Sequence, residues 1–312
     1  MVAKNDRAIL RDLAKRVSEI ANLDVMGLRR EKWRLHNDLK TKEPLILVNP
    51  EGAFAELIPY SALRCEGDEA RNIEWNLTSR IYYHENIDDD SVISDDFFVE
   101  KRLNGIGAWN AIDVGLDWGL KGKLERTPDS PQGAYRIEPV INNIDDIQKL
   151  KIPSLSYDGK ATLADMEEKQ ELFGDILNVR IKGITHIMFH VMYFYIHYRG
   201  LEQMFFDLHD EPEFARELIG FFVAGYESIL EQCVELNAFD LNNGSTPVAT
   251  GGFGNTGELP KKDFSPDKVR LCDLWACAES QEMHPASPEM TEEFVICHER
   301  RLLSKFGLAS YG

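Results

Sequence analysis

Residues 251–312 constrain the fold more than any other part of the chain, because signals for helix starts alternate there with short apolar stretches. Ser265-Pro266 and Ser287-Pro288 each combine a helix-capping serine with a proline that suits the first helical turn. Residues 306–311 form a last apolar stretch with the length of a strand. Such alternation is typical of parallel α/β folds. We therefore predict an α/β fold, a (β/α)8 barrel of the TIM type, which this chain leaves incomplete at its C-terminus.

The segment from Glu279 to His284 is the first candidate for chemistry. It follows an apolar stretch and precedes the Ser287 cap, so it lies where a strand passes into a helix. In a barrel, the carboxyl ends of strands supply the catalytic side chains. The carboxylates of Glu279 and Glu282, the Gln281 amide and the His284 imidazole could bind a metal or move a proton. A polar loop whose glutamates face water is the alternative, and the sequence leaves both open.

Three further residues complete the predicted site. Asn243 ends a predicted strand over residues 239–243, although asparagines also form turns. We expect Asn243 and Gln281 to orient the substrate through hydrogen bonds. Trp275 and Tyr311, on the two last predicted strands, would line the pocket.

A second group of polar side chains lies on a predicted helix over residues 186–198. His186, His190 and His197 fall on one stripe of this helix, and the first two have a spacing that a metal site could use. The same helix is rich in aromatic residues and has no acidic residue between the histidines. Histidines of the core or of an interface are therefore favoured over a metal site. The aromatic stripe could belong to the core or to a homodimer interface.

The N-terminal region predicts a helical arm over residues 1–40, ahead of the barrel at 41–312. Within that arm, apolar residues repeat at helical spacing over residues 5–38, which predicts two helices. Residues 44–50, four apolar residues between two prolines, predict the first buried strand. Residues 105–140, with Trp109 and Trp118, suggest short strands or a hairpin. Other predicted elements are the helices 68–86, 159–173, 200–209 and 211–236 and the strand 176–181.

Charge and cysteine content limit the partners and the compartment. The net charge of −18, from 35 basic and 53 acidic side chains, would repel both nucleic acid and an anionic membrane. An acidic surface suits a cationic or neutral substrate or a basic protein partner, although solubility alone explains it too. The five cysteines show no disulfide framework, and no apolar run is long enough for a signal peptide or a membrane span. We therefore expect reduced thiols and a cytoplasmic protein.

Nine short segments occur in a characteristic order in the second half of the chain. They are Arg199-Gly-Leu-Glu-Gln203, Asp207-Leu208, Glu211-Pro-Glu213, Leu241-Asn-Asn243, Gly251-Gly252, Glu258-Leu-Pro260, Asp273-Leu-Trp275, Ser287-Pro-Glu-Met290 and Phe306-Gly-Leu308. Together they resemble the uroporphyrinogen decarboxylase superfamily, and the resemblance covers roughly residues 140–312. That family uses a (β/α)8 barrel and contains cofactor-free tetrapyrrole decarboxylases and zinc-dependent methyltransferases that are linked to corrinoid proteins.

The resemblance favours the methyltransferase branch. The decarboxylases carry an N-terminal arginine signature that holds substrate carboxylates, and residues 44–56 have no counterpart of it. The resemblance implies that a zinc ion helps to pass a methyl group from a small O- or N-methyl compound to a corrinoid protein. Glu282 would be the acidic zinc ligand or acid–base group, Glu279 a second catalytic carboxylate and His284 a further ligand. The thiolate ligands would lie beyond residue 312.

Two other functions remain open at this point. A cofactor-free decarboxylase of a tetrapyrrole or related carboxylate would need positive side chains in its cavity, and Arg136, Arg180 and Lys182 are the candidates. A non-catalytic barrel that binds a small molecule is the other, because Ala309 stands where some relatives carry a ligand histidine.

Overall fold

The computed structural model describes residues 2–107, 110–126, 135–249 and 252–312, so Trp109 of the predicted hairpin lies outside the described residues. The fold is mixed α/β. The chain divides into two compact units. The first contains Met1–Arg102, Asp158–Lys182 and Asn242–Glu258, and the second contains Leu103–Tyr157, Gly183–Leu241 and Leu259–Gly312.

The regular elements follow one another in chain order. They are α1 (Lys4–Ala21), α2 (Asp24–Asn37), α3 (Phe54–Leu57), α4 (Asp68–Asn86), β1 (Asp96–Glu100), β2 (Leu103–Asn104), β3 (Lys123–Arg126), β4 (Tyr135–Glu138), β5 (Ser156–Tyr157), α5 (Gly159–Phe173), β6 (Asn178–Lys182), β7 (Met188–Phe189), α6 (Val191–Arg199), α7 (Leu201–Asp210), α8 (Pro212–Glu235), β8 (Pro247–Ala249), β9 (Gly252–Phe253), β10 (Trp275–Ala278), α9 (Pro288–Thr291), α10 (Cys297–Leu303) and β11 (Leu308–Tyr311). A π-helical segment, Glu292–Ile296, joins α9 to α10.

The first unit buries the apolar faces of α1, α4 and α5 against a parallel pair of strands, β1 and β6. Leu10 and Val17 of α1 are fully buried in this core, together with Leu77 and Phe173. The two helices predicted near the N-terminus are confirmed. The first of them packs inside the core of the unit, because its apolar residues recur at the spacing of one helical face.

The predicted strand over residues 44–50 is wrong. The segment is irregular, and Ile46 is 61% exposed. The backbone N–H groups of Ile46 and Val48 donate to the carboxylates of Asp90 and Asp89, at 3.0 and 2.9 Å. These acidic side chains satisfy donors that a strand ladder would otherwise have used. The same contacts explain why Asp89, which belongs to an acid-rich turn, is buried.

The second unit has an aromatic core around Trp118. The buried Trp118 ring makes edge contacts with Phe194, Phe222 and Tyr226, at centroid distances of 5.1 to 5.6 Å. The aromatic residues of the predicted stripe thus belong largely to this core. The predicted hairpin between residues 105 and 140 is present as the antiparallel pair β3 and β4.

Asp207 of α7 holds α6 through hydrogen bonds, and these bonds explain part of the sequence pattern over residues 199–207. Its carboxylate is fully buried and accepts two hydrogen bonds from the Arg199 guanidinium, both at 2.8 Å. The Tyr195 hydroxyl and the Gln203 amide donate to the same carboxylate, at 2.9 and 3.0 Å. A buried carboxylate with four donors is fully compensated, so this pattern has a structural role.

A parallel sheet of three strands, in the order β11, β10, β7, forms the centre of the second unit. The helix predicted over residues 186–198 is wrong at its start, because β7 precedes α6, which begins at Val191. Apolar residues on every side of this segment gave no periodicity that separates a buried strand from a helix. The predicted strand 239–243 is reduced to one parallel bridge between Phe239 and Ile184. The helix predicted to start at Ser265 is wrong, because residues 265–270 form turns without an α-helix.

The sheets of the described residues contain two or three strands each, and none of them closes into a barrel. Among the same residues, no helix combines the length and the apolar character that crossing a lipid bilayer requires.

Candidate active site

The carboxyl ends of the parallel strands in the second unit bring polar side chains together. Ala278 of β10 is in register with Phe189 of β7 and with Tyr311 of β11. His190 and Glu279 are the next residues of their chains, and the Glu279 N–H donates to the Phe189 carbonyl at 3.3 Å. His190 and Glu279 therefore lie side by side at one edge of the sheet.

The His190 imidazole lies between two carboxylates. Its Nε2 is 2.7 Å from Asp113 Oδ1, and its Nδ1 is 3.3 Å from Glu279 Oε1. His186 contacts the other oxygen of Asp113, with 3.2 Å between Nε2 and Oδ2. Asp113 reaches this edge because Ile112, just before it, forms a parallel bridge with Ile187. We call Asp113, His186, His190 and Glu279 the histidine cluster.

Burial and hydrogen bonds hold the histidine cluster in place. The side chain of His190 is only 6% exposed, and its backbone N–H donates to the hydroxyl of the buried Tyr226 at 3.1 Å. Burial tends to raise the pKa of Asp113, but the imidazoles of His186 and His190 beside it outweigh burial and hold that pKa well below its usual range. Asp113 is thus an anion next to His190, and the imidazole ring lies where it can exchange a proton with Glu279.

A second network lies on the other side of β10. Ser280 follows Glu279, and its hydroxyl donates to Oε1 of Glu299, on α10, at 2.9 Å. Glu299 is 1% exposed. Burial raises its pKa to about 7, although hydrogen bonds from Tyr311 and Ser280 act in the opposite direction. Glu299 can therefore hold or release a proton near neutral pH.

Glu282 interacts electrostatically with residues of both networks. Burial raises the pKa of Glu282; the charge of His190 lowers it and that of Glu279 raises it. The charge of Glu282 in turn raises the pKa of Glu299. Among the described residues, Oε2 of Glu282 and Oε2 of Glu299 are both buried and have no hydrogen-bond partner.

The predicted site residues fall into three groups. Glu279, Glu282 and Tyr311 belong to the networks just described. Gln281 and His284 are exposed on the short turn after β10, and Trp275 is buried within β10 itself. Asn243 belongs to the first unit, whereas the other six belong to the second.

Sequence reasoning missed Asp113 and Glu299 and misassigned His190. His190 carried a usable signal, because an apolar run with a polar residue at its end also describes a strand and the turn after it. Asp113 lies in a stretch without clear periodicity. Glu299 lies within a helical pattern, where an acidic residue predicts exposure.

The donor types around His190 are those that zinc accepts, namely carboxylate oxygen and imidazole nitrogen. Within the described part of the chain, however, no three or more histidine, cysteine or acidic residues are arranged to hold a metal ion. All five cysteines are free, and burial raises the pKa of the Cys277 thiol on β10 to about 12.

Comparison of this chain with models of protein families, with curated proteins and with solved structures gives no match.

Proposed function

We propose that this protein is an enzyme of the uroporphyrinogen decarboxylase superfamily, and that its reaction takes place at the histidine cluster. In this proposal β7, β10 and β11 belong to a TIM-type barrel. The support is that polar side chains gather where these parallel strands end, which is where such barrels carry their chemistry. The choice of family is based on the sequence resemblance over residues 140–312.

Of the reactions considered, methyl transfer fits the chemistry of this site best, and one observation supports it most directly. Two buried carboxylate oxygens, Oε2 of Glu282 and Oε2 of Glu299, have no hydrogen-bond partner in the described structure. Burying such oxygens costs free energy unless a donor or a cation offsets it. With Asp113 and Glu279 nearby, a substrate that carries many carboxylates would be repelled. A metal ion or a cationic methyl compound would be attracted.

In this proposal zinc is held by Glu282 together with donors of the histidine cluster. Glu279 and His190 are better placed than the exposed His284 to complete the site, because their charges act on Glu282. Bound zinc would act as a Lewis acid toward a small O- or N-methyl donor. The acceptor would be a corrinoid protein in the cytoplasm. A homodimer remains a prediction for the chain itself.

The test is zinc content and methyl transfer in matched variants. We expect the wild-type protein and Glu217→Gln, an exposed acid of α8, to retain about one zinc per chain after dialysis. Glu282→Gln should bind zinc at least about tenfold more weakly, as should His190→Gln. Both should also lose methyl transfer to a corrinoid acceptor. Wild-type protein that retains only a trace of zinc, or variants that bind it as tightly, would contradict the metal site.

Decarboxylation without a cofactor is the second candidate. It is favoured by the raised pKa values of Glu282 and Glu299, since burial keeps these carboxyl groups protonated at higher pH and able to donate a proton. The positive side chains that would bind the substrate carboxylates argue against this candidate, because Arg136 is exposed on β4 and Arg180 is paired with Asp96. Release of carbon dioxide from a porphyrinogen, lost in Glu299→Gln, would support this candidate; no turnover would exclude it.

A further inference from the structure

The first unit contains a cavity of about 490 Å³ that the proposed reaction does not use. Its walls come from α4, β1, the end of β6 and the segments that precede β1 and β8. The lining residues that matter here are Asn72, Asn76, Arg80, Asp96, Phe98, Glu100 and Lys182.

The cavity lies along a free edge of β1. The Asn178 N–H donates to the Asp95 carbonyl, and the Lys101 N–H donates to the Lys182 carbonyl. The N–H and C=O groups of Phe97 and Val99 therefore point toward β6. Those of Asp96, Phe98 and Glu100 point away from β6, to the open side of β1. In the described structure β1 pairs with β6 alone. On its open side the Asp96 carbonyl accepts from the Arg80 guanidinium at 3.1 Å.

Three side chains at the cavity have polar groups available for a ligand. Asn72 and Asn76 are exposed one turn apart on α4, and their amides make no hydrogen bond within the described part of the chain. Glu100, at the end of β1, is also exposed, and its carboxylate has no partner among the same residues. The amides can donate to and accept from a peptide backbone, and the carboxylate can accept from a cation.

The other charged groups of the cavity are already engaged. Glu69 is paired with Lys169, and Asp96 with Arg180, whose Nε is 3.2 Å from Oδ1. The Lys182 ammonium lies 4.7 Å from the centre of the Phe98 ring. Glu100 is thus the carboxylate that can meet a new positive charge, in a chain whose net charge is −18.

We infer that this edge and cavity bind a short extended segment of a basic protein, which adds a strand beside β1. An exposed strand edge offers backbone donors and acceptors to such a segment, and side-chain contacts then select its sequence. Asn72 and Asn76 bond the backbone of the segment on the side away from β1. Glu100 pairs with a lysine or arginine of the segment.

The experiment measures fluorescence anisotropy of a blocked, labelled peptide of alternating valine and lysine. We expect saturable binding to the wild-type protein and to Asn86→Ala, which changes an exposed amide of α4 that does not line the cavity. The double variant Asn72→Ala, Asn76→Ala should bind about tenfold more weakly, and Glu100→Gln should lose affinity mainly at low salt.

Two control peptides separate strand pairing from simple charge attraction. Methylation of alternate backbone nitrogens removes the donors that a ladder needs, so this peptide should fail to bind. A peptide with glutamate in place of lysine should also fail. Equal binding of the methylated peptide, or no saturable binding of the parent peptide, overturns the inference. These readouts do not depend on zinc or on methyl transfer, so they fail independently of the proposed function.

Discussion

His190 and Glu299 are both buried polar side chains, and their burial is compensated in different ways. His190 has an acidic partner at each ring nitrogen, within 2.7 and 3.3 Å. Glu299 has hydroxyl partners on one side and a buried oxygen without a partner on the other. In the folded protein the charged form of Glu299 is therefore less favourable than the protonated form. Burial raises the pKa of Glu299 from its usual value of 4.5 to about 7.

This difference predicts how stability depends on pH. Between pH 4.5 and about 7 the unfolded chain releases the proton of Glu299 while the folded chain keeps it. Its stabilising contribution is complete below pH 4.5 and is lost as pH rises toward 7, at up to about 1.4 kcal/mol per pH unit. Glu299→Gln, which mimics the protonated form, should not show this loss. Urea unfolding of both proteins from pH 5 to 8 measures it.

The control for this experiment is Glu217→Gln, which removes an exposed carboxyl group from α8. Its stability should follow the pH dependence of the wild-type protein. Parallel curves for wild type and Glu299→Gln would show that Glu299 does not hold its proton in the folded state.

At the scale of the element, α8 shows how local packing decides whether a glycine-to-alanine substitution stabilises or destabilises the protein. Its glycines at 220 and 225 are both inside the helix, where alanine is normally favoured by about 0.5–1 kcal/mol. A Cβ atom at Gly220 would meet no other atom within 4 Å. A Cβ at Gly225 would lie 2.3 Å from the Trp118 ring, which is itself buried.

We therefore expect opposite results from the two substitutions. Gly220→Ala should stabilise the protein by about 0.5–1 kcal/mol. Gly225→Ala should destabilise it by about 1–3 kcal/mol, because Trp118 must shift within a packed core. Thermal or chemical unfolding measures both, and near-ultraviolet circular dichroism reports the Trp118 environment. Stabilisation by Gly225→Ala would mean that Trp118 does not pack against α8 as described.

At the scale of the whole molecule, the helical arm predicted over residues 1–40 takes part in a core. The α1 side chains Leu10, Ala14 and Val17 are fully buried. The Asp6 carboxylate accepts from the backbone N–H groups of Glu66 and Gly67, just before α4, at 3.1 and 3.2 Å. Removal of α1 would expose apolar surface on α4 and α5 and leave these donors without their acceptor.

Deletion of residues 1–38 should accordingly destabilise the first unit. We expect faster hydrogen exchange throughout α4 and α5, because their buried faces lose the residues that cover them. Leu28→Ala is the matched control, since Leu28 of α2 is 65% exposed and should leave exchange unchanged. Undiminished protection of α4 and α5 in the shortened protein would show that the arm is dispensable.

The sequence by itself determined the mixed α/β class and most helices, because caps and helical periodicity are local properties. Ser287 caps α9 as its neighbours predict, and Gly174 follows the last residue of α5. It also placed Glu279 at the end of a strand. The predicted barrel and the predicted reaction remain predictions.

Only the tertiary structure decided which side chains meet Glu279. His190 lies beside it because β7 and β10 are in register, and Asp113 reaches His190 through a single bridge to Ile187. These pairings join residues that are far apart in the chain, and no local pattern encodes them. For the same reason the segment 44–50 read as a strand, although Asp89 and Asp90 bind its backbone instead.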